Sequence, residues 1–99
     1  MARFVVLVNF TDQGARNIRE AGKMRAGVNQ AIQAAGGKVV LRCYTMGQYD
    51  IVSVIDFPGD ETALAVALQA GAGGNVRTNM MKAFTEEEFD KAVAKLPKA

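Results

Sequence analysis

The chain has 99 residues, 49% of them hydrophobic, with twelve Lys and Arg against ten Asp and Glu, one cysteine and no histidine. That is enough apolar material for a single domain over residues 1–99, and the near balance of charge leaves no electrostatic footprint for nucleic acid. Without histidine there is no imidazole metal site, no His-ligated haem and no histidine base, and lone Cys43 cannot close an intramolecular disulfide, so neither metal nor cofactor is expected.

Arg3 to Phe10 reads as the first strand. Its apolar run is too short to cross a bilayer and no small-residue cleavage site follows, so a cytoplasmic protein without membrane contact is expected. Thr11-Asp12-Gln13-Gly14 is a polar break able to cap a short helical turn through Ile18, and Gly22 interrupts that turn. From Lys23 to Ala35, Met24, Val28, Ala31, Ile32 and Ala35 recur at three- and four-residue spacing, the pattern of a helix that Gly36-Gly37 stops. Lys38 to Thr45 and Ile51 to Phe57 are rich in Val, Ile, Leu and aromatics, and Gly47 and Asp50 between them supply hairpin turn chemistry.

Pro58-Gly59-Asp60 then turns the chain into a helix carrying Leu64, Ala67, Leu68 and Ala70, ended by Gly71, Gly73 and Gly74. That glycine cluster follows a helix and lacks a Lys-Ser/Thr pair, so it reads as helix termination and not as a phosphate loop. Val76 to Phe84 is the fourth strand. Thr85-Glu86-Glu87-Glu88 forms a capping box that opens a C-terminal helix with Phe89, Val93 and Leu96 directed inward.

The order is βαββαβ with a C-terminal helix, and two right-handed crossovers make an α+β, ferredoxin-like antiparallel sheet of order 4-1-3-2 the simplest closed answer. Strand alternation separates two faces. Phe4, Val6, Val8, Phe10, Val39, Leu41, Cys43, Ile51, Ile55, Phe57, Val76, Met80 and Phe84 are expected beneath the helices, which makes Cys43 a buried small hydrophobe. The other face, with Val5, Leu7, Asn9, Val40, Arg42, Tyr44, Val52, Val54, Asp56, Arg77, Asn79 and Met81, is too apolar to face water and too polar for an ordinary core. A face of this kind is covered by a second subunit, so a homodimer or higher oligomer is expected.

Three blocks carry a family resemblance: Leu7 to Gly14 at the end of the first strand, Met46-Gly47-Gln48-Tyr49-Asp50 at the hairpin, and Gly74-Asn75-Val76-Arg77-Thr78 leading to Ala83-Phe84-Thr85. With these blocks in this order the chain resembles the GYD-domain family of small bacterial and archaeal proteins. The resemblance implies a dimeric α+β barrel, two sheets packed face to face. It implies no activity, and barrels of this general architecture host monooxygenases, isomerases, haem enzymes and ligand-sensing domains.

Function therefore has to come from side chains. With strands one and three taken as parallel, Asn9 and Asp56 meet at one end of the sheet and Arg77 enters beside Asn9, while Arg42 and Tyr44 project to the same face. Tyr49 and Asp50 fall at the end away from Asp56, with Asp50 bonding backbone donors of its own turn and Tyr49 packing over the barrel mouth. Arg16, Arg19, Lys23 and Arg25 read as solvated surface.

Three functions fit. The first is a binding module whose interface pocket, bounded by Asn9, Arg42, Tyr44, Asp56, Arg77 and Asn79, holds a small anionic or aromatic molecule. The second is a cofactor-independent oxygenase or isomerase with Asp56 as base and Arg77 or Arg42 steadying an enolate. In the third, assembly is itself the function, in a subunit or regulator of a larger complex.

Overall fold

Alternate residues of Ala2–Phe10 (β1) are buried: Phe4, Val6 and Val8 face the helices, while Val5 and Leu7 turn to the opposite side. This computed structural model describes residues 1–98; Ala99, the last residue of the domain expected over 1–99, lies outside them. After β1, the short helix α1 (Asp12–Arg16) is capped by Thr11, whose hydroxyl oxygen accepts from the Gly14 N–H. A 3-10 turn at Ile18–Glu20 leads into α2 (Ala21–Ala34), so Gly22 lies within the helix instead of breaking the chain before Lys23. A helix-interior glycine costs only about 1 kcal/mol, less than the packed face that Val28 and Ile32 provide.

β2 (Lys38–Tyr44) and β3 (Ile51–Phe57) form the hairpin, α3 (Asp60–Ala72) crosses back, and β4 (Val76–Ala83) precedes α4 (Glu86–Ala94). The sheet order is β2-β3-β1-β4, the ferredoxin-like 4-1-3-2 arrangement, with every neighbouring pair antiparallel. The core sits between sheet and helices, where Phe4, Val6, Val8, Ile55 and Phe57 meet Ile32 of α2 and Ala63 of α3. Phe4 and Phe57 pack edge to face at 5.9 Å. No described helix is long and apolar enough to cross a membrane.

Several expectations are corrected. β1 and β3 run antiparallel, not parallel, with Arg3 opposite Asp56 and Val8 opposite Ile51. The reason is topological: the first crossover makes β2 parallel to β1, and a hairpin must then reverse β3. Asp56 consequently lies at the Arg3 end of the sheet, six residues of β1 or about 20 Å from Asn9.

A bulge in β2 moves four more side chains. Val39 pairs with Ile55, but Leu41 pairs with Val54, so Val40 is an extra residue and the alternation slips by one. Leu41 and Cys43 therefore face the open side, both exposed, while Arg42 and Tyr44 stand opposite Ser53 and Ile51 on the helix side. This reverses the expected placement of all four.

Six further apolar positions point outward. Phe84 is exposed just beyond β4, and on α3 the buried residue is Ala63, while Leu64 and Leu68 face solvent. Phe89 and Val93 of α4 and Leu96 just beyond it are exposed, Phe89 at 64% and Leu96 at 68%, against the inward placement expected of them. The chain is elongated, 55 × 30 × 20 Å, and among its described residues helix α4 makes no substantial packing contact with the sheet or the other helices. Its start is nonetheless as expected: the Glu88 N–H donates to the Thr85 hydroxyl and the Thr85 N–H to the Glu88 carboxylate.

Candidate functional site

The open sheet face is organised in rows across the strands. Leu41, Val54, Val5 and Met81 lie side by side through all four strands, followed by Cys43, Val52, Leu7 and Asn79. Leu41 is 53% exposed and Met81 is also exposed, with the four central valine and leucine side chains half-buried. Seven of these eight side chains are apolar or a thiol, and together they make a continuous patch that water covers only at a cost. Valine holds three of the four central positions here, a β-branched side chain suited to a pleated, half-buried surface.

Charge borders this patch at one end. The row Lys38, Asp56, Arg3 and Ala83 carries a bidentate ion pair in which Arg3 Nε and Nη2 donate to Asp56 Oδ1 and Oδ2 at 2.9 and 3.1 Å. Hydrogen bonding to Arg3 holds the Asp56 carboxyl below its ordinary range against the opposing effect of burial. A carboxylate so held is a weak proton acceptor, and its guanidinium partner is Arg3, not Arg77 or Arg42. At the opposite end Asn9 stands directly across from Arg77.

The residues expected around one pocket thus divide into three places. Asn9, Arg77 and Asn79 share one end of the open face, and Asp56 occupies the other end. Arg42 and Tyr44 sit on the reverse side, where Arg42 Nη1 donates to Asn29 Oδ1 at 2.8 Å and Arg25 Nη1 donates to the Tyr44 hydroxyl at 3.3 Å. Arg3 and Leu41 of the open face were not among the candidates. Arg3 could have been found from antiparallel pairing with Asp56, whereas the Val40 bulge has no signature in the local residue pattern.

The motif blocks, far apart in sequence, converge at the Asn9 end. Beyond the last β1–β3 pair, Val8–Ile51, the Asp50 N–H donates to the Val8 carbonyl and the Asp50 carboxylate accepts from the Phe10 N–H, both at 2.9 Å. Asp50 therefore extends the ladder with a side chain just before β3 begins, instead of bonding its own turn through its carboxylate. The hairpin is closed separately: the Thr45 N–H reaches the Asp50 carbonyl at 2.8 Å and the Thr45 hydroxyl the Tyr49 carbonyl at 2.6 Å. Gly47 has φ +123°, a conformation that favours glycine, and Tyr49 is half-buried beside it.

One residue further along, the Thr11 N–H donates to the Asn75 carbonyl at 3.0 Å and the Thr11 hydroxyl to the Gly74 carbonyl at 2.6 Å. Gln13 Nε2 reaches Asn75 Oδ1 at 3.0 Å. Gly14 packs so closely here that a Cβ would lie 2.0 Å from the Asn75 carbonyl oxygen. Hairpin, first strand end and the approach to β4 are thereby clamped together, which fixes the outline of the open face at its Asn9 end.

A ferredoxin-like protein with an uncovered, bordered sheet face is the class this geometry defines. The GYD-domain family model matches residues 4–93, and the chain belongs to that family. It is also similar to the glutamine synthetase and cystathionine beta-lyase binding protein of Thermus thermophilus, at 30% identity over 85 residues, 85% of this chain and 90% of that protein.

Proposed function

We propose that the protein is a cytoplasmic homo-oligomeric binding module that docks onto metabolic enzymes. Its copies join through their open sheet faces as an α+β barrel. The observation that carries this reading is the double apolar row through Leu41, Val54, Val5, Met81 and Cys43, Val52, Leu7, bordered by the Arg3–Asp56 pair. Face-to-face packing of two such sheets buries both patches, and the apolar side of α4 gains a surface to lie on. A bordering ion pair sets register more than it adds affinity.

Docking onto enzymes is supported by the printed name of the Thermus relative, which is a binding protein for two enzymes. Of the three functions the sequence allowed, assembly as function gains from this. The oxygenase or isomerase reading loses support because Asp56 is bound by Arg3 and lies about 20 Å from Asn9 and Arg77. Native mass spectrometry tests the assembly: a dimer or larger ring is expected, and a monomer at micromolar concentration rejects it. Titration of the assembled protein into purified glutamine synthetase and cystathionine beta-lyase tests docking, with saturable complex formation with at least one expected and none with either rejecting it.

A further inference from the structure

We propose that the helix side of the sheet carries a second, independent site, which binds a small hydrophobic monocarboxylate. A cavity of about 90 Å³ lies there between Val8 and Ile51 of the sheet and Met24, Val28 and Val66 of α2 and α3. The same two α2 residues and Val66 also wall a groove of about 280 Å³ between the two helices. Gly27 and Ala31 on α2, and Ala70 and Gly73 opposite them, are too small to fill the space between the helices, and a Cβ at Gly27 would meet nothing within 4 Å. Cavity and groove share Met24, Val28, Val66, Ala70 and Val76 as a common wall, and Met24, unbranched and adaptable, is the side chain able to rotate and join them.

The occupant's charge follows from the rim. Arg25 and Arg42 both line the cavity, and the bulge at Val40 is what brings Arg42 there. Neither guanidinium makes an ion pair among the described residues: Arg42 donates to Asn29, and Arg25 donates to Tyr44 and lies 5.9 Å from that ring's centroid. Two cations at the mouth of an apolar space, held by neutral partners that a carboxylate can displace, select an anion with an apolar body. The interior supplies no competing polar anchor at Ser53, whose hydroxyl already donates to the Val6 carbonyl at 3.0 Å. One ring is the size proposed: apolar cavities of about 150 Å³ accept benzene, more than the 90 Å³ cavity offers alone and less than the 280 Å³ of the groove beside it.

The site is on the opposite face from the proposed assembly surface, so either can fail alone. The test is an NMR titration with phenylacetate and with its neutral isostere phenylacetamide. Phenylacetate is expected to saturate, shifting the Met24 and Val28 methyl signals and not those of Val5 and Leu7, and to bind at least about tenfold tighter than phenylacetamide. The Arg25→Gln, Arg42→Gln variant is expected to erase that preference. No saturable phenylacetate binding, equal affinity for both probes, or shifts centred on the open face would overturn the proposal. The comparison of the two probes on the unaltered protein decides the matter even if the double variant does not fold.

Discussion

Asp50 shows how one side chain can replace a strand. Its carboxylate takes the Phe10 N–H that β3 is too short to reach, so Asp50→Ala leaves that donor without a partner. We expect a loss of about 2 kcal/mol in urea unfolding, the range for a charge-assisted bond to a partly buried amide. Gly14→Ala is expected to cost about 3 kcal/mol or more, because the added methyl meets the Asn75 carbonyl, which cannot swing away as a flexible side chain could. Asp56 and Glu88 are both held below their ordinary range, by Arg3 and by the Thr85 backbone N–H respectively. Their contribution to stability is therefore complete above about pH 5, clear of both ordinary carboxylate values, and is lost as pH falls through the lowered ones. The Asp56→Asn, Glu88→Gln variant is expected to show a flatter acid limb in stability measured from pH 7 to pH 2.

Among the elements, β2 is the one whose pattern misleads. Its residues alternate without any glycine or proline to mark an irregularity, yet Val40 is inserted and everything after it turns over. Deleting Val40 removes the extra residue while leaving Leu41 opposite Val54 and Arg42 opposite Ser53. The shortened protein is therefore expected to stay folded by circular dichroism and to retain the Cys43–Val52 cross-strand contact in NMR. Loss of that contact would mean that the bulge is required for register. The capping box at Thr85 was legible because it depends only on residues three apart, whereas the direction of Phe89, Val93 and Leu96 was not, because amphipathicity specifies a face and not what covers it.

For the whole molecule, the exposed apolar rows matter more than any single polar group. Val54 lies in the middle of the open face with its neighbours Leu41 and Val5. Val54→Lys is expected to leave the protomer folded, since a lysine on a solvent-facing sheet can extend its head into water. Buried between two subunits the same charge would have no partner, so the variant is expected to run as a monomer in size-exclusion chromatography with light scattering. An unchanged oligomer would place the assembly surface elsewhere.

Element order, the ferredoxin-like sheet order, the capping box and the family signature were all determined by the sequence alone, because each rests on local periodicity, turn chemistry or chain connectivity. Tertiary structure decided which residues meet. Antiparallel pairing put Asp56 with Arg3 instead of Asn9, and one inserted residue sent Arg42 and Tyr44 through to the helix side. The physical reason is the two-residue period of a strand: a direction reversed or a register slipped by one keeps every local preference satisfied while exchanging every neighbour.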